Sequence, residues 1–212
     1  MNVLAIDTAS PEPGVALLRG GRLYEARVPG DRRCSEELLP AIERVLAESA
    51  GAMEDVDRIA VCAGPGSFTG LRIGLATAWG LGRALGIPIE SVSTLEAVAE
   101  AARGARHPAV HAVLDAGRGE VIAREYSLEG PRARPIGPAA RLSRSDVENG
   151  ALVGAIFALP AAIAGSRGTA PPSPPASALA RAVAREPGSA TSASPPAIYA
   201  RPSAAEENRG AP

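Results

Sequence analysis

A mixed β-sheet carrying helices on its faces is the fold class that this 212-residue sequence predicts. Three observations point to it. Residues 3–28 hold three short apolar runs joined by turn residues. At Ser35 the apolar period changes from that of a strand to that of a helix. From Val56 onward, strand-like and helix-like segments alternate, giving the order βββαβα and then βα.

Residues 3–8 (VLAIDT) form a run of β-formers closed by a polar pair, the pattern of a buried strand with Asp7 and Thr8 at its carboxyl end. Residues 15–18 and 23–28 flank Gly20-Gly21, a hairpin signal because both turn residues can take positive φ. Within 35–49, Leu38, Leu39, Ile42, Val45 and Leu46 recur at helical spacing. Ser35 reads as the N-cap, and Pro40 predicts a later start or a bend, since proline past the first turn removes a hydrogen bond. Residues 56–63 read as a strand that enters the loop Gly64-Pro65-Gly66-Ser67-Phe68-Thr69-Gly70. A helix over 71–85, a strand over 87–92 and a third helix over 93–102 follow, the last with Ser93 and Glu96 at capping-box spacing.

A second unit starts near Arg106. Residues 110–114 and 120–126 read as strands around Asp115-Ala116-Gly117-Arg118-Gly119. Residues 152–157 suggest another strand, 165–175 a linker, and 178–186 a short helix with Leu179 and Val183 on one side. Beyond Glu186 the sequence is low in complexity, apart from Ile198-Tyr199-Ala200-Arg201.

Composition narrows the function classes. Of the residues, 46% are hydrophobic, but 44 of them are alanine and only six residues are aromatic. All 22 basic residues are arginine, and the net charge is −1. That balance argues against a protein that holds nucleic acid by bulk positive charge. The N-terminus lacks the basic region of a secretory leader, and no run of ~18 apolar residues suggests a membrane helix. Cys34 and Cys62, without CxxC spacing, read as free thiols of a cytoplasmic protein.

The Gly64–Gly70 loop is the most informative stretch. Gly64, Gly66, Ser67 and Thr69 before a helix could cradle a phosphate, yet no phosphate-loop lysine or dinucleotide fingerprint is present. The other reading is a tight strand-to-helix turn. Asp7 could coordinate Mg²⁺ and Thr8 contact a phosphate, or Asp7 could simply cap its turn. Gly70, Gly74, Ala78, Gly82 and Gly86 form a ridge of small residues at four-residue spacing. A glycine inside a helix costs about 1 kcal/mol relative to alanine, so the ridge needs a close neighbour. That neighbour could be the chain's own sheet or first helix, or a helix of another molecule. His107 and His111 have HxxxH spacing, but Pro108 disfavours a helix there, and in a strand the rings would lie about 13 Å apart. No metal site is expected.

Taken together, AIDTA, SEELLP, GPGSFTGLRIG, VSTLEA, LDAGRGEV and the late IYAR resemble the TsaB family, also called YeaZ. The resemblance is dense over residues 1–126. It implies an actin-like ATPase fold with two related lobes, here 1–104 and a shortened 105–187, followed by a tail over 188–212. It also implies a non-catalytic partner of the metal-bearing subunit TsaD. In that role the chain supports transfer of a threonylcarbamoyl group to adenosine 37 of tRNA, with the ATPase TsaE joining and TsaC making the threonylcarbamoyl-adenylate. Contact with tRNA would pass through the complex, ATP or ADP could sit at the complex interface, and the chain would hold no cofactor of its own. Members also self-associate. The implied interface comprises Leu38 and Ile42 of the first helix and Gly70, Leu71, Arg72, Gly74, Ala78 and Gly82 of the second. Two departures stand out. Cys34 replaces a frequent histidine, and Gly117-Arg118 shifts the usual Asp-Ala-Arg pattern. An ATP-binding phosphotransferase of the same fold is the alternative.

Overall fold

The computed structural model describes residues 1–30, 33–191 and 197. Its first sheet is built from β1 (Val3–Asp7), β2 (Gly14–Arg19), β3 (Arg22–Arg27), β4 (Arg58–Cys62) and β5 (Ile89–Val92). The spatial order is β3-β2-β1-β4-β5. The hairpin partners are antiparallel, whereas β4 and β5 run parallel to β1. Gly20 and Gly21 have φ of 57° and 80°, the left-handed pair that a two-residue hairpin requires.

Every residue of β1 is buried, because helices cover both faces of the sheet. Leu4 and Ile6 face outward with Val15 and Leu17, under Leu38, Ile42 and Val45 of α1 (Cys34–Glu48) and Leu75 and Ala78 of α2 (Phe68–Leu85). On the opposite face, Val3, Ala5, Ala16 and Ala60 meet Ala176, Leu179, Ala180 and Val183 of α5 (Pro175–Arg185). Short side chains on both partners let helix and sheet approach closely, so part of the alanine surplus is spent on this contact.

α3 (Thr94–Ala101) lies beside α5 and carries Leu95, Val98 and Ala99 onto a second sheet. That sheet contains β6 (Ala109–Gly117), β7 (Glu120–Ser127), β8 (Arg134–Pro135), β10 (Ala155–Leu159) and β11 (Gly168–Thr169), in the order β11-β10-β6-β7-β8, with β9 (Ala140–Ser143) also paired to β7. Val147 of α4 (Arg144–Glu148) and Ile163 of a 3-10 segment (Ala161–Arg167) close its far face against Val113, Val121 and Ile156. Two mixed sheets therefore sandwich the α3–α5 pair, with further helices outside each. Among the described residues, no helix is long and apolar enough to cross a membrane.

Several local expectations change. α1 begins at Cys34 with Arg33, not Ser35, at the N-cap, and it continues past Pro40 to Glu48. Burial of Cys34, Leu38, Ala41, Ile42, Val45 and Leu46 on one face holds the helix despite the lost bond. Ser93 precedes α3 but forms no side-chain cap. The Glu96 carboxylate that would complete the box is drawn instead to the Arg132 guanidinium, 2.6 Å away. Residues 165–175, expected as a linker, include the end of the 3-10 segment and the edge strand β11. The short helix expected over 178–186 starts earlier, with Pro175 in the first turn, and it packs on the first sheet. Ile198-Tyr199-Ala200-Arg201 lies outside the described residues.

Candidate functional site

The carboxyl end of β1 and the start of α2 form one continuous polar structure. Asp7 is fully buried, and its Oδ1 accepts hydrogen bonds from the backbone N–H groups of Ala9 and Ser10, both at 3.0 Å. Its Oδ2 has no hydrogen-bond partner. Desolvation pushes the Asp7 carboxyl above the usual carboxylate value, with the bonds from Ser10 and Ala9 acting against it. Burial likewise raises the Cys62 thiol, and the neighbouring Asp7 carboxylate adds to that shift. Asp7 thus caps its turn.

Thr8 reaches across to α2, its hydroxyl donating to the carbonyl oxygen of Gly70 at 2.6 Å. The backbone N–H of Ser67 donates to the Ala9 carbonyl at 2.8 Å. Ser67 is the N-cap of α2, its Oγ accepting from the Gly70 N–H at 3.1 Å. The glycines exist for this approach. A Cβ on Gly66 would lie 2.1 Å from the Ala9 carbonyl oxygen, and one on Gly70 would lie 1.8 Å from that of Thr8. On Gly74 it would meet Thr8 Oγ1 at 2.3 Å, and on Gly82 the Ile89 side chain at 2.7 Å. Gly86 has a different task. At φ 70° it supplies the left-handed C-cap of α2.

Of the two neighbours open to the small-residue ridge, Gly70, Gly74 and Gly82 meet the chain's own first sheet and the strand end at Thr8. Leu38, Ile42, Gly70, Leu71, Gly74, Ala78 and Gly82 are all buried, and of the eight expected interface residues only Arg72 is exposed. The ridge makes α2 a rigid backing, and what it offers outward is its other side. Phe68 is 41% and Trp79 43% exposed, and the Arg72 guanidinium stacks 3.8 Å above the Phe68 ring. Leu85 at the end of α2 and Leu39 on α1 are also exposed. Sequence reasoning missed Phe68, Trp79 and Leu39. The signal was present in the helical offset: once the ridge turns inward, Phe68, Arg72, Ala76, Trp79 and Arg83 fall on the opposite face.

Of the phosphate and metal candidates, Thr8, Ser67, Thr69 and Gly70 do come together. With Ser10, Pro13, Gly30, Cys34 and Ile73 they line a cavity of about 260 Å³. Asp7, Gly64 and Gly66 do not line it. Thr8 already spends its hydroxyl hydrogen on Gly70, and the Asp7 carboxylate is fully buried outside the cavity. Among the described residues no cluster of three His, Cys, Asp or Glu could hold a metal ion. His107 packs its ring against Phe157, and His111 Nε2 lies 3.0 Å from the Val153 carbonyl oxygen.

A sequence profile described as TsaD, tRNA N6-adenosine threonylcarbamoyltransferase, matches residues 29–147, more than half of the chain. An uncharacterized protein of Mycobacterium tuberculosis is 40% identical over 169 residues, covering 74% of this chain and 76% of its own length. The tRNA threonylcarbamoyladenosine biosynthesis protein TsaB of Escherichia coli is 38% identical over 132 residues, 61% of this chain and 56% of that protein. The solved structure of YeaZ from Pseudomonas aeruginosa matches with a TM-score of 0.65 and 34% identity, over 74% of both chains. A crystal structure described as an uncharacterized protein with similarity to peptidase YeaZ from the same organism matches at 0.79 and 29% identity, over 94% of this chain and 99% of that one. The two-sheet architecture is the actin-like ATPase fold. By sequence and by fold, the chain belongs to the TsaB (YeaZ) family.

Proposed function

We propose that this chain takes part in N6-threonylcarbamoyladenosine formation in tRNA as a non-catalytic subunit, and that it pairs with TsaD through the outer face of α2. The observation that carries the reading is the exposed Phe68–Arg72–Trp79 stripe on a helix whose inner face is locked to the sheet. Aromatic and arginine side chains on a rigid backing are the composition of an interface centre. Family membership and the names of the TsaB relatives support the pathway. The full burial of Asp7, outside the cavity that Thr8, Ser67 and Thr69 line, supports the non-catalytic role, since a phosphotransferase needs a carboxylate that Mg²⁺ can reach. Contact with tRNA then passes through the complex, in keeping with a net charge of −1. TsaE joins the assembled pair, any ATP or ADP lies at the interface of the complex, and the pathway places the protein in the cytoplasm. The same stripe serves self-association, so a homodimer of free chains competes with the TsaD pair.

Reconstitution tests this. TsaC, TsaD and TsaE with tRNA, threonine, bicarbonate and ATP should yield modified adenosine 37 only when this chain is added. Equal product without it overturns the subunit reading. Calorimetry of the isolated chain should show no tight Mg·ATP binding, and binding with turnover would favour the phosphotransferase.

A further inference from the structure

We propose that Arg132 is a latch between the two sheets, and that its release frees residues 186–191 from the edge of the first sheet. Arg132 sits in the turn between β7 and β8 and is buried. Its guanidinium reaches three separate elements. Nε donates to Glu96 on α3 at 2.6 Å, while Nη1 donates to Glu90 on β5 at 2.5 Å and to the Glu186 carbonyl just past α5 at 3.1 Å. Glu90 passes the connection on, accepting from the Gly188 N–H at 2.9 Å and from Arg58 Nη1 at 3.1 Å. Arg58 also donates to the Gly188 carbonyl at 3.0 Å. Three residues later Thr191 pairs with Ile89, exchanging N–H···O bonds of 2.7 and 3.0 Å. That pairing covers β5, which otherwise ends the first sheet.

Two features make this seam the place where the fold opens. Elsewhere the contact between the sheets combines apolar packing of α3 and α5 with the pairing of Glu100 to Arg103 and Arg185, whereas here the buried Glu90 and the part-buried Glu96 share the Arg132 guanidinium, with Arg58 as a second cation on Glu90. Without Arg132, the part-buried Glu96 would lose its guanidinium partner and the buried Glu90 one of its two, and rehydration would favour separation. The flanking elements also carry buried polar atoms without partners, namely Arg58 Nε, Ser91 Oγ, Thr94 Oγ1 and Tyr126 Oη. Opening returns them to water, so the local opening free energy is lower here than in the apolar clusters.

Hydrogen exchange on the full chain tests the latch. In Arg132→Met, the amides of Ile89, Gly188 and Thr191 should exchange roughly tenfold faster or more, while those of Leu4, Ile6 and Ile156 keep their wild-type rates. Unchanged exchange at the first three overturns the proposal, as does a uniform rise across all six, which would mark plain global destabilisation. Should Arg132→Met fail to fold, Glu96→Gln removes one charge and keeps an acceptor. The same local pattern is then expected at smaller amplitude, and its absence or a uniform rise overturns the latch.

Discussion

The Thr8 hydroxyl and the Gly70 carbonyl oxygen lie 2.6 Å apart, a buried hydrogen bond that fixes the first turn of α2 to the end of β1. Around it the backbone of α2 comes too close for any Cβ at Gly70 or Gly74. This relationship explains why glycines recur where a helix would ordinarily lose about 1 kcal/mol by carrying them.

The sign of a glycine-to-alanine substitution is therefore reversed. Gly74→Ala should destabilise by about 1–3 kcal/mol as overpacking against Thr8 Oγ1, and Thr8→Ala in the same chain should recover part of the loss. Gly70→Ala meets the Thr8 main-chain oxygen, which no side-chain truncation removes, so Thr8→Ala should not rescue it. Urea unfolding of the two double variants measures the difference. Additive effects in Gly74→Ala/Thr8→Ala would disprove the contact.

Asp7 supplies a pH dependence. Burial raises its carboxyl above the ordinary value of 3.8, so the folded state holds the proton more tightly than the unfolded chain. Stability from this group is fully present below the unfolded pKa and declines as pH rises through the folded one. Asn at position 7 keeps an oxygen for the N–H groups of Ala9 and Ser10 and cannot ionise. Thermal unfolding from about pH 4 to about pH 8 should show Asp7→Asn gaining on the wild type as pH rises. A gap that shrinks over that range would show the carboxylate to be a net stabiliser.

The first lobe was legible in the sequence because its signals are local. Gly20-Gly21 specifies its hairpin, and the Leu38–Ile42–Val45 stripe specifies α1. What escaped was direction. Four-residue spacing in α2 announces a close neighbour, but only the fold shows that Thr8 and Ile89 are that neighbour. The second lobe was less readable because β8 and β11 have two residues each and β9 only four, too short to show a period. α5 was visible as a helix, yet its place between the sheets rests on pairing with β1 and β2, far away in sequence.

The histidines make a further test. His107 packs on Phe157 and His111 bonds to the Val153 carbonyl, so each already has a structural task. Replacing both with alanine should leave reconstituted tRNA modification within about twofold of wild type, with at most a modest loss of stability. A complete loss of product with a normal melting curve would place chemistry on these rings.

Trp79 separates surface from scaffold. It is 43% exposed on the outer face of α2, whereas Gly82, one turn on, is buried against Ile89. If that face binds TsaD, Trp79→Ala should weaken the pair by about 2–4 kcal/mol, the range of an interface centre. The melting temperature of the free chain should stay near that of wild type, because a truncation at the surface seldom moves stability by more than about 0.5 kcal/mol. Gly82→Leu should behave in the opposite way, unfolding the chain before any interface is tested, since even a Cβ there meets Ile89 at 2.7 Å. Affinity measured by calorimetry alongside thermal unfolding distinguishes the two. Wild-type affinity in Trp79→Ala would move the partner surface off this face of α2.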